Sequence, residues 1–522
     1  MANNTNSSPG ASASGMTTAD NATVARSAGL AFLGRLGALV EIIALPAFAW
    51  LYGAANMGLF FTLWALVRVS TRFTEFAMPT TLQRFVPASD CQQRAQSIIK
   101  TAIAISLVLS TTLAAVITLL APVLAEHINA REEDAVHLVT IIRLYIWVLP
   151  FWTLLEVLTA SVRAQRKFGP EIKVRIFYEQ GLRLVAGVVF FALGYKTFGL
   201  FYAHLFSAIV TTYLSFRLAA RFYDFKAVLL APFDRALSRE MLSFAAVMTP
   251  ANFIKDVNSE LPILLLNVML PGVQGAHAAA LYGVGRRLAS ALVVVRQSFE
   301  YVIAPFATAS KAAEQHDKLN EMYAFSTRLI CCLIVPMAAL LLLIRHEILW
   351  FLPTEFYAAA SVVLVLALGR MLEALAGPAC TLIEMLGHRT LPLANGVLGV
   401  TTMVTLLYFL VPMYGATGAA IAAAAGINIT SGLSLLEAHL IYRLQPYRRS
   451  LVRPFAIVLV CTLIMIGLSD YAGKLSNTLE MSTVAVLFTT TLVLLVRYGF
   501  NSEDVAALGR IGRWIKGSKD TI

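Results

Sequence analysis

Runs of about twenty apolar residues, separated by short polar segments, recur from residue 27 to residue 499, each long enough to cross the hydrocarbon core of a bilayer as a helix. Fourteen spans are predicted, at about 27–51, 58–83, 101–123, 137–162, 174–195, 198–216, 242–270, 278–309, 325–344, 357–386, 390–412, 416–441, 454–472 and 481–499. The expected fold class is therefore an all-α polytopic membrane protein.

The two halves echo each other at an offset of about 220 residues. Tyr195-Lys196-Thr197-Phe198-Gly199-Leu200 matches Met413-Tyr414-Gly415-Ala416-Thr417-Gly418-Ala419 in composition and place, and the basic turn Arg166-Lys167-Phe168-Gly169-Pro170 matches His388-Arg389-Thr390-Leu391-Pro392. The implied layout is a tail at 1–25, six helices at 26–222, a connector at 223–241, six more helices at 242–445, an appended pair at 446–500 and a second tail at 501–522. An even number of spans per half makes the repeats parallel, with a cavity between two lobes.

Composition agrees with this pattern, since 58% of the residues are hydrophobic, 14% are charged and the mean hydropathy is +0.72. The net charge of +11 would point to nucleic acid in a soluble chain, but its distribution assigns it to topology. With the N-terminus inside, the inner segments hold 27 basic residues and the outer ones only Arg131, Lys196, Arg345 and Lys474. Both termini are thus expected in the cytoplasm, with no nucleic-acid role. The first 25 residues, rich in Asn, Ser, Thr and Ala, read as disordered. The last 22 read as an amphipathic interfacial helix, with Val505, Leu508, Ile511 and Ile515 on one face.

With Arg175, Arg328 and Arg497 counted in the inner segments and Asp470 in the outer, ten basic residues and ten carboxylates remain inside the spans, where lipid exposure would be costly, so they must face one another or water. Helices 1, 2 and 8 carry Arg35, Arg68, Arg72, Arg286, Arg287 and Arg296 against Glu41, Glu75 and Glu300, a local excess of three positive charges. Arg68, Arg72 and Glu75 share one face of helix 2, and Tyr282, Arg286, Arg296, Gln297 and Glu300 share one face of helix 8, while Arg287 points elsewhere. Two readings follow: an arginine-lined anion site, suited to phosphate oxygens, or structural pairs such as Arg72 with Glu75 and Arg296 with Glu300. On helix 5, Arg175, Glu179 and Arg183 form a ladder that reads as an internal salt bridge. On helix 7, Pro250 and Pro262 bracket Asp256 and Glu260, either a proton or sodium site or counter-charges for arginines.

Chemistry of other kinds is missing. No phosphate-binding G-x-x-x-x-G-K-[ST] motif, no H-E-x-x-H and no G-x-S-x-G occurs, and the five cysteines suggest neither a metal site nor a disulfide framework. No cofactor is expected. The longest outer loop, about Leu124 to Val136, is too short for a catalytic domain. A transporter is the reading that remains.

The start of helix 2 at Gly58-Leu59-Phe60 with Pro87 at its end, the stretch Leu281-Tyr282-Gly283-Val284-Gly285-Arg286-Arg287-Leu288 leading to Ala304-Pro305, and Tyr414-Gly415-Ala416-Thr417-Gly418-Ala419-Ala420 carry a resemblance. Over about residues 26 to 500 the chain resembles the superfamily of multidrug, oligosaccharidyl-lipid and polysaccharide exporters, and within it the polysaccharide-unit flippases. The resemblance implies two six-helix lobes in a V around a central cavity, alternating access, and a bacterial inner membrane. The substrate it implies is an undecaprenyl-pyrophosphate-linked glycan, with membrane lipids and polysaccharide polymerase or export machinery as partners. Lipid II flippases line their cavity with arginines of helices 1, 2 and 8, which carries Arg35, Arg68, Arg72 and Arg286 over as substrate-binding residues, with Arg296 added by its face. Asp256, Glu260, Glu75 and Glu300 are the candidates for coupling a proton or sodium ion; membrane potential is the other drive. A multidrug antiporter of the same superfamily and a membrane glycan polymerase or ligase are the alternatives.

Overall fold

The computed structural model describes residues 37–89, 91–165, 173–312, 316–386, 390–501, 504, 505 and 516, so the N-terminal tail, Arg35, the basic turns at 166–170 and 388–389 and most of the C-terminal tail lie outside the described residues. Among the described residues the chain is helical throughout. The helices of the first half are α1 (Gly37–Thr74), α2 (Met78–Phe85), α3 (Gln92–His127), α4 (Leu138–Tyr145), α5 (Val148–Ala164), α6 (Glu179–Ala192) and α7 (Gly199–Ala219). A short connector helix α8 (Phe225–Leu230) leads to α9 (Arg235–Met269), α10 (Val273–Ala312), α11 (His316–Leu343), α12 (Ala359–Leu375), α13 (Ala379–Met385) and α14 (Thr390–Leu440). The appended pair is α15 (Arg449–Gly473) and α16 (Asn477–Leu494), packed on each other and on α11.

Among the described residues, ten helices are long and apolar enough to cross a membrane. Two of them, α1 and α14, each hold two of the expected spans, joined at Gly53 (φ 73°) and Gly415 (φ 55°). Only glycine adopts such a backbone without steric cost. The expected spans at 174–195 and 242–270 correspond to α6, which is shorter, and to α9, a continuous helix whose apolar run Lys255, Asp256 and Glu260 interrupt. All fourteen expected spans therefore have helical counterparts. Left-handed glycines recur at matching places in the two halves, Gly53 with Gly272 and Gly194 with Gly415, each pair about 220 residues apart.

Breaks inside spans are the main departure from the predicted elements. Helix 2 stops at Thr74, turns through Phe76 (φ 46°) and Ala77 (φ 49°), and resumes as α2 with Pro79 in its first turn. The span at 357–386 breaks at Gly377-Pro378 into α12 and α13, and that at 137–162 breaks between α4 and α5. By contrast α9 stays helical through Pro250 and Pro262, and begins earlier than expected, at Arg235, with Asp234 capping two backbone amides.

The two halves are sealed together on the side the basic residues avoid. Asn129 and Asn267 exchange three hydrogen bonds of 2.8–2.9 Å, and Asn129 also accepts one from the amide of Gly272. The backbone of α1 meets that of α10 so closely at Gly58 that an added Cβ would lie 1.7 Å from the Ala276 carbonyl oxygen. Glu355 accepts a hydrogen bond from the Ala54 amide across the same seam. The charged interior lies inward of this seal.

Candidate functional site

A cavity of ≈ 700 Å³ opens below the seal, walled by α1, α9, α10, α12, α13 and α14. Six cations line it, Arg68, Lys255, Arg286, Arg287, Arg296 and Arg370, against four carboxylates, Glu260, Glu300, Glu373 and Glu384. Two of the carboxylates each bridge two arginines. Glu260 Oε2 is 3.0 Å from Arg286 and its Oε1 is 3.6 Å from Arg68. Glu373 stands 2.8 Å from Arg296 and 2.7 Å from Arg370 through its two oxygens. Glu300 adds a second contact to Arg296 at 3.3 Å, and Lys255 pairs with Glu384.

Burial orders these pairs. The Glu260 and Glu373 side chains are only 3% and 4% exposed, whereas Arg68, Arg286, Arg296 and Arg370 are 31%, 24%, 15% and 23% exposed. The carboxylates thus lie behind their arginines, neutralise part of the charge that burial would penalise, and leave guanidinium donors at the cavity surface. Arg287 differs: its guanidinium sits 3.8 Å from the centre of the Phe61 ring, a cation–π contact between the halves. Asn258 contributes a buried amide oxygen with no hydrogen-bond partner among the described residues.

A smaller cavity of ≈ 230 Å³ adjoins it and shares Lys255, with Arg72, Glu75, Glu156, Arg163 and Asp256 also in its wall. Here Arg72 bonds Asp256 and, at 2.7 Å, Glu75. Charge balances in this wall, three cations against three carboxylates.

The residues singled out in the sequence therefore divide. Arg68, Arg286, Arg296, Glu260 and Glu300 face the larger cavity; Arg72, Glu75 and Asp256 face the smaller. The pairs Arg72–Glu75 and Arg296–Glu300 form as their spacing predicts. Arg370, Glu373, Lys255 and Glu384 line the same cavity without being among the site residues the sequence points to, although a charge within a span is the signal each carries. On α6 the Glu179–Arg183 pair forms at 3.5 Å and is buried, while the Arg175 side chain is outside the described residues. Glu179 also lies 3.9 Å from His204, whose other ring nitrogen is 2.7 Å from the Tyr145 hydroxyl, so this polar group is enclosed within the first half.

Among solved structures, the fold is similar to that of the lipid II flippase MurJ in an inward closed conformation, with a TM-score of 0.71, 10% identity, and coverage of 90% of this chain and 98% of that one. It is also similar to an inward-facing multidrug resistance MATE family transporter of the MOP superfamily, with a TM-score of 0.63, 14% identity, and coverage of 82% and 98%. The outward-facing conformation of a MATE family transporter gives a TM-score of 0.59 at 16% identity, covering 81% and 96%. No curated protein sequence matches the chain. The family model described as "Polysaccharide biosynthesis protein" matches residues 61–362. That stretch is more than half the sequence and contains Arg68, Arg286 and Arg296, so this multi-pass membrane chain with a transporter fold belongs to the polysaccharide biosynthesis protein family.

Proposed function

We propose that the protein is a flippase that carries an undecaprenyl-pyrophosphate-linked oligosaccharide unit from the inner to the outer leaflet of the bacterial cytoplasmic membrane, both termini lying in the cytoplasm. The observation that carries this reading is the cavity whose six cations outnumber its four carboxylates, with Glu260 and Glu373 buried behind their arginines. Arg35, outside the described residues, is assigned to the same wall through the resemblance alone. A drug antiporter for organic cations calls for a carboxylate excess, and the lining has the opposite sign. The transporter fold likewise weighs against a glycan polymerase or ligase.

The diphosphate takes the guanidinium donors of Arg68, Arg286, Arg296 and Arg370, competing with Glu260 and Glu373 for them. Bidentate arginine pairing suits phosphate oxygens better than a lysine would. The Asn258 amide oxygen accepts a hydrogen bond from a sugar hydroxyl, and the lipid tail remains in the bilayer. A volume of ≈ 700 Å³ is in the range of small-molecule sites, which accommodates the diphosphate with its proximal sugars. Arg72 acts at the neighbouring cavity, where it links the halves through Asp256.

Glu75, Asp256, Glu260 and Glu300 are each held by an arginine. A proton or sodium ion gains them only when that arginine leaves, so their first role is to hold the empty carrier's arginines in place. The drive is then membrane potential, which moves each uncompensated negative charge outward with a gain of about 2.3 kcal/mol per 100 mV. Reconstitution in proteoliposomes with a fluorescent polyprenyl-diphosphate oligosaccharide tests the reading: transport that rises with an inside-negative potential supports it, and export of organic cations without glycan translocation sinks it.

A further inference from the structure

Outside the central cavities, two adjoining grooves of ≈ 540 Å³ each flank the first three turns of α9 and share Arg239 and Ser243. One is walled by Phe76, Phe233, Leu242 and Ala246; the other places Arg84 of α2 opposite Arg239 of α9. Arg84, Arg235 and Arg239 have no ion-pair or hydrogen-bonding partner among the described residues, and the one carboxylate in these walls is Glu240. The Arg84 guanidinium lies 4.4 Å from the Phe244 ring centre, which fixes its stem across the groove.

The connector beside the grooves is fastened to the first half. Lys100 donates to the carbonyls of Leu229 and Ala231 at 2.8 and 2.7 Å, and Ser97 donates to that of Pro232. Held this way, it presents Leu229, Leu230 and Phe233, which are 71%, 84% and 57% exposed. Apolar side chains exposed beside arginines at the cytoplasmic ends of spans mark the depth at which lipid headgroups meet acyl chains.

We infer that these grooves bind an anionic glycerophospholipid of the inner leaflet, phosphate on Arg84, Arg235 and Arg239 and acyl chain along Phe76, Phe233 and Leu242. Arg68, Arg286, Arg296 and Arg370 of the central cavity carry built-in carboxylates that a passing substrate displaces; the arginines of the groove carry none among the described residues, as suits a resident ligand. The groove shares no wall residue with either central cavity, so it is a separate site. Because Arg84 belongs to the first half and Arg239 to the second, the bound lipid ties the halves together on the cytoplasmic side. It thereby favours the arrangement in which α2 and α9 adjoin.

The test is native mass spectrometry and thermal unfolding of the full-length protein in mild detergent, titrated with phosphatidylglycerol or phosphatidylcholine. Phosphatidylglycerol is expected to bind and raise the Tm more than phosphatidylcholine. Each of Arg84→Gln, Arg235→Gln and Arg239→Gln is expected to weaken its binding about fivefold. Arg84→Lys/Arg239→Lys keeps the charge and retains the preference, which separates lipid recognition from misfolding. Equal binding of the two lipids, or phosphatidylglycerol binding that the glutamine variants leave unchanged, overturns the proposal. So does competition in which a polyprenyl diphosphate displaces phosphatidylglycerol from the groove at equal concentration.

Discussion

Arg68 of α1 and Glu260 of α9 stand 3.6 Å apart, and one turn further along α1 and one turn back along α9 Arg72 bonds Asp256, so two residues spaced by four on one helix meet two spaced by four on the other. The helices run antiparallel, and the two bridges form a ladder between the halves of the molecule. The same carboxylates that i, i+4 spacing offers as an ion site are thus complementary in register to a pair of arginines.

The ladder predicts coupling that a double-mutant cycle will detect. Arg72→Gln and Asp256→Asn should each lower stability, and their combination should be less damaging than the sum, with a coupling of about 1–3 kcal/mol. Unfolding of the four proteins in detergent measures this. The charge swap Arg72→Asp/Asp256→Arg should restore stability in part.

Arg286 faces the larger cavity and also donates to the Ser259 carbonyl at 2.6 Å. Arg286→Ala should lower glycan-lipid transport at least about tenfold at unchanged protein level, the loss of one charge-assisted phosphate contact. Arg286→Lys should be intermediate, because an ammonium keeps the charge and loses the fork. Initial rates in proteoliposomes decide it, and wild-type rates for the alanine variant would remove Arg286 from the site.

Gly58 tests the seal. A Cβ at 1.7 Å from the Ala276 oxygen cannot be accommodated without parting α1 from α10. Gly58→Val should therefore leave an inserted and folded protein whose seam between α1 and α10 no longer closes. A cysteine placed at Asn267 should then react with an impermeant maleimide added from outside, faster than in the same cysteine protein with Gly58 intact.

Glu179 and Arg183 are about 1% and 5% exposed in their side chains, so removing one takes the opposite charge from the other inside a buried site. Glu179→Leu should cost about 3 kcal/mol or more of stability, while Glu179→Leu/Arg183→Met should recover much of it. Thermal unfolding gives the comparison, and equal single and double effects would mean that the pair is not coupled.

The helices are legible in the sequence because hydropathy reports length and exposure to lipid, and the fourteen spans correspond to helices for that reason. The breaks at Phe76-Ala77 and Gly377-Pro378 are not, because both sit inside apolar runs and hydropathy carries no backbone geometry. Among the charges, Arg72–Glu75 and Arg296–Glu300 can be read from spacing within one helix. Arg68–Glu260 and the shared Glu373 cannot, since spacing says nothing of which helices adjoin. The separation of Arg72 from the larger cavity has the same origin: one helix face can look into two chambers once a second helix, α9, divides them.

Lys255 belongs to the walls of both chambers. Its ammonium pairs with Glu384 in the second half, while Asp256, the next residue on α9, is bonded to Arg72 in the first. Consecutive residues on a helix project about 100° apart, so this one turn of α9 is tethered in two directions at once. An anion that draws Lys255 from Glu384 would leave this turn of α9 held by the bridge to Arg72 alone.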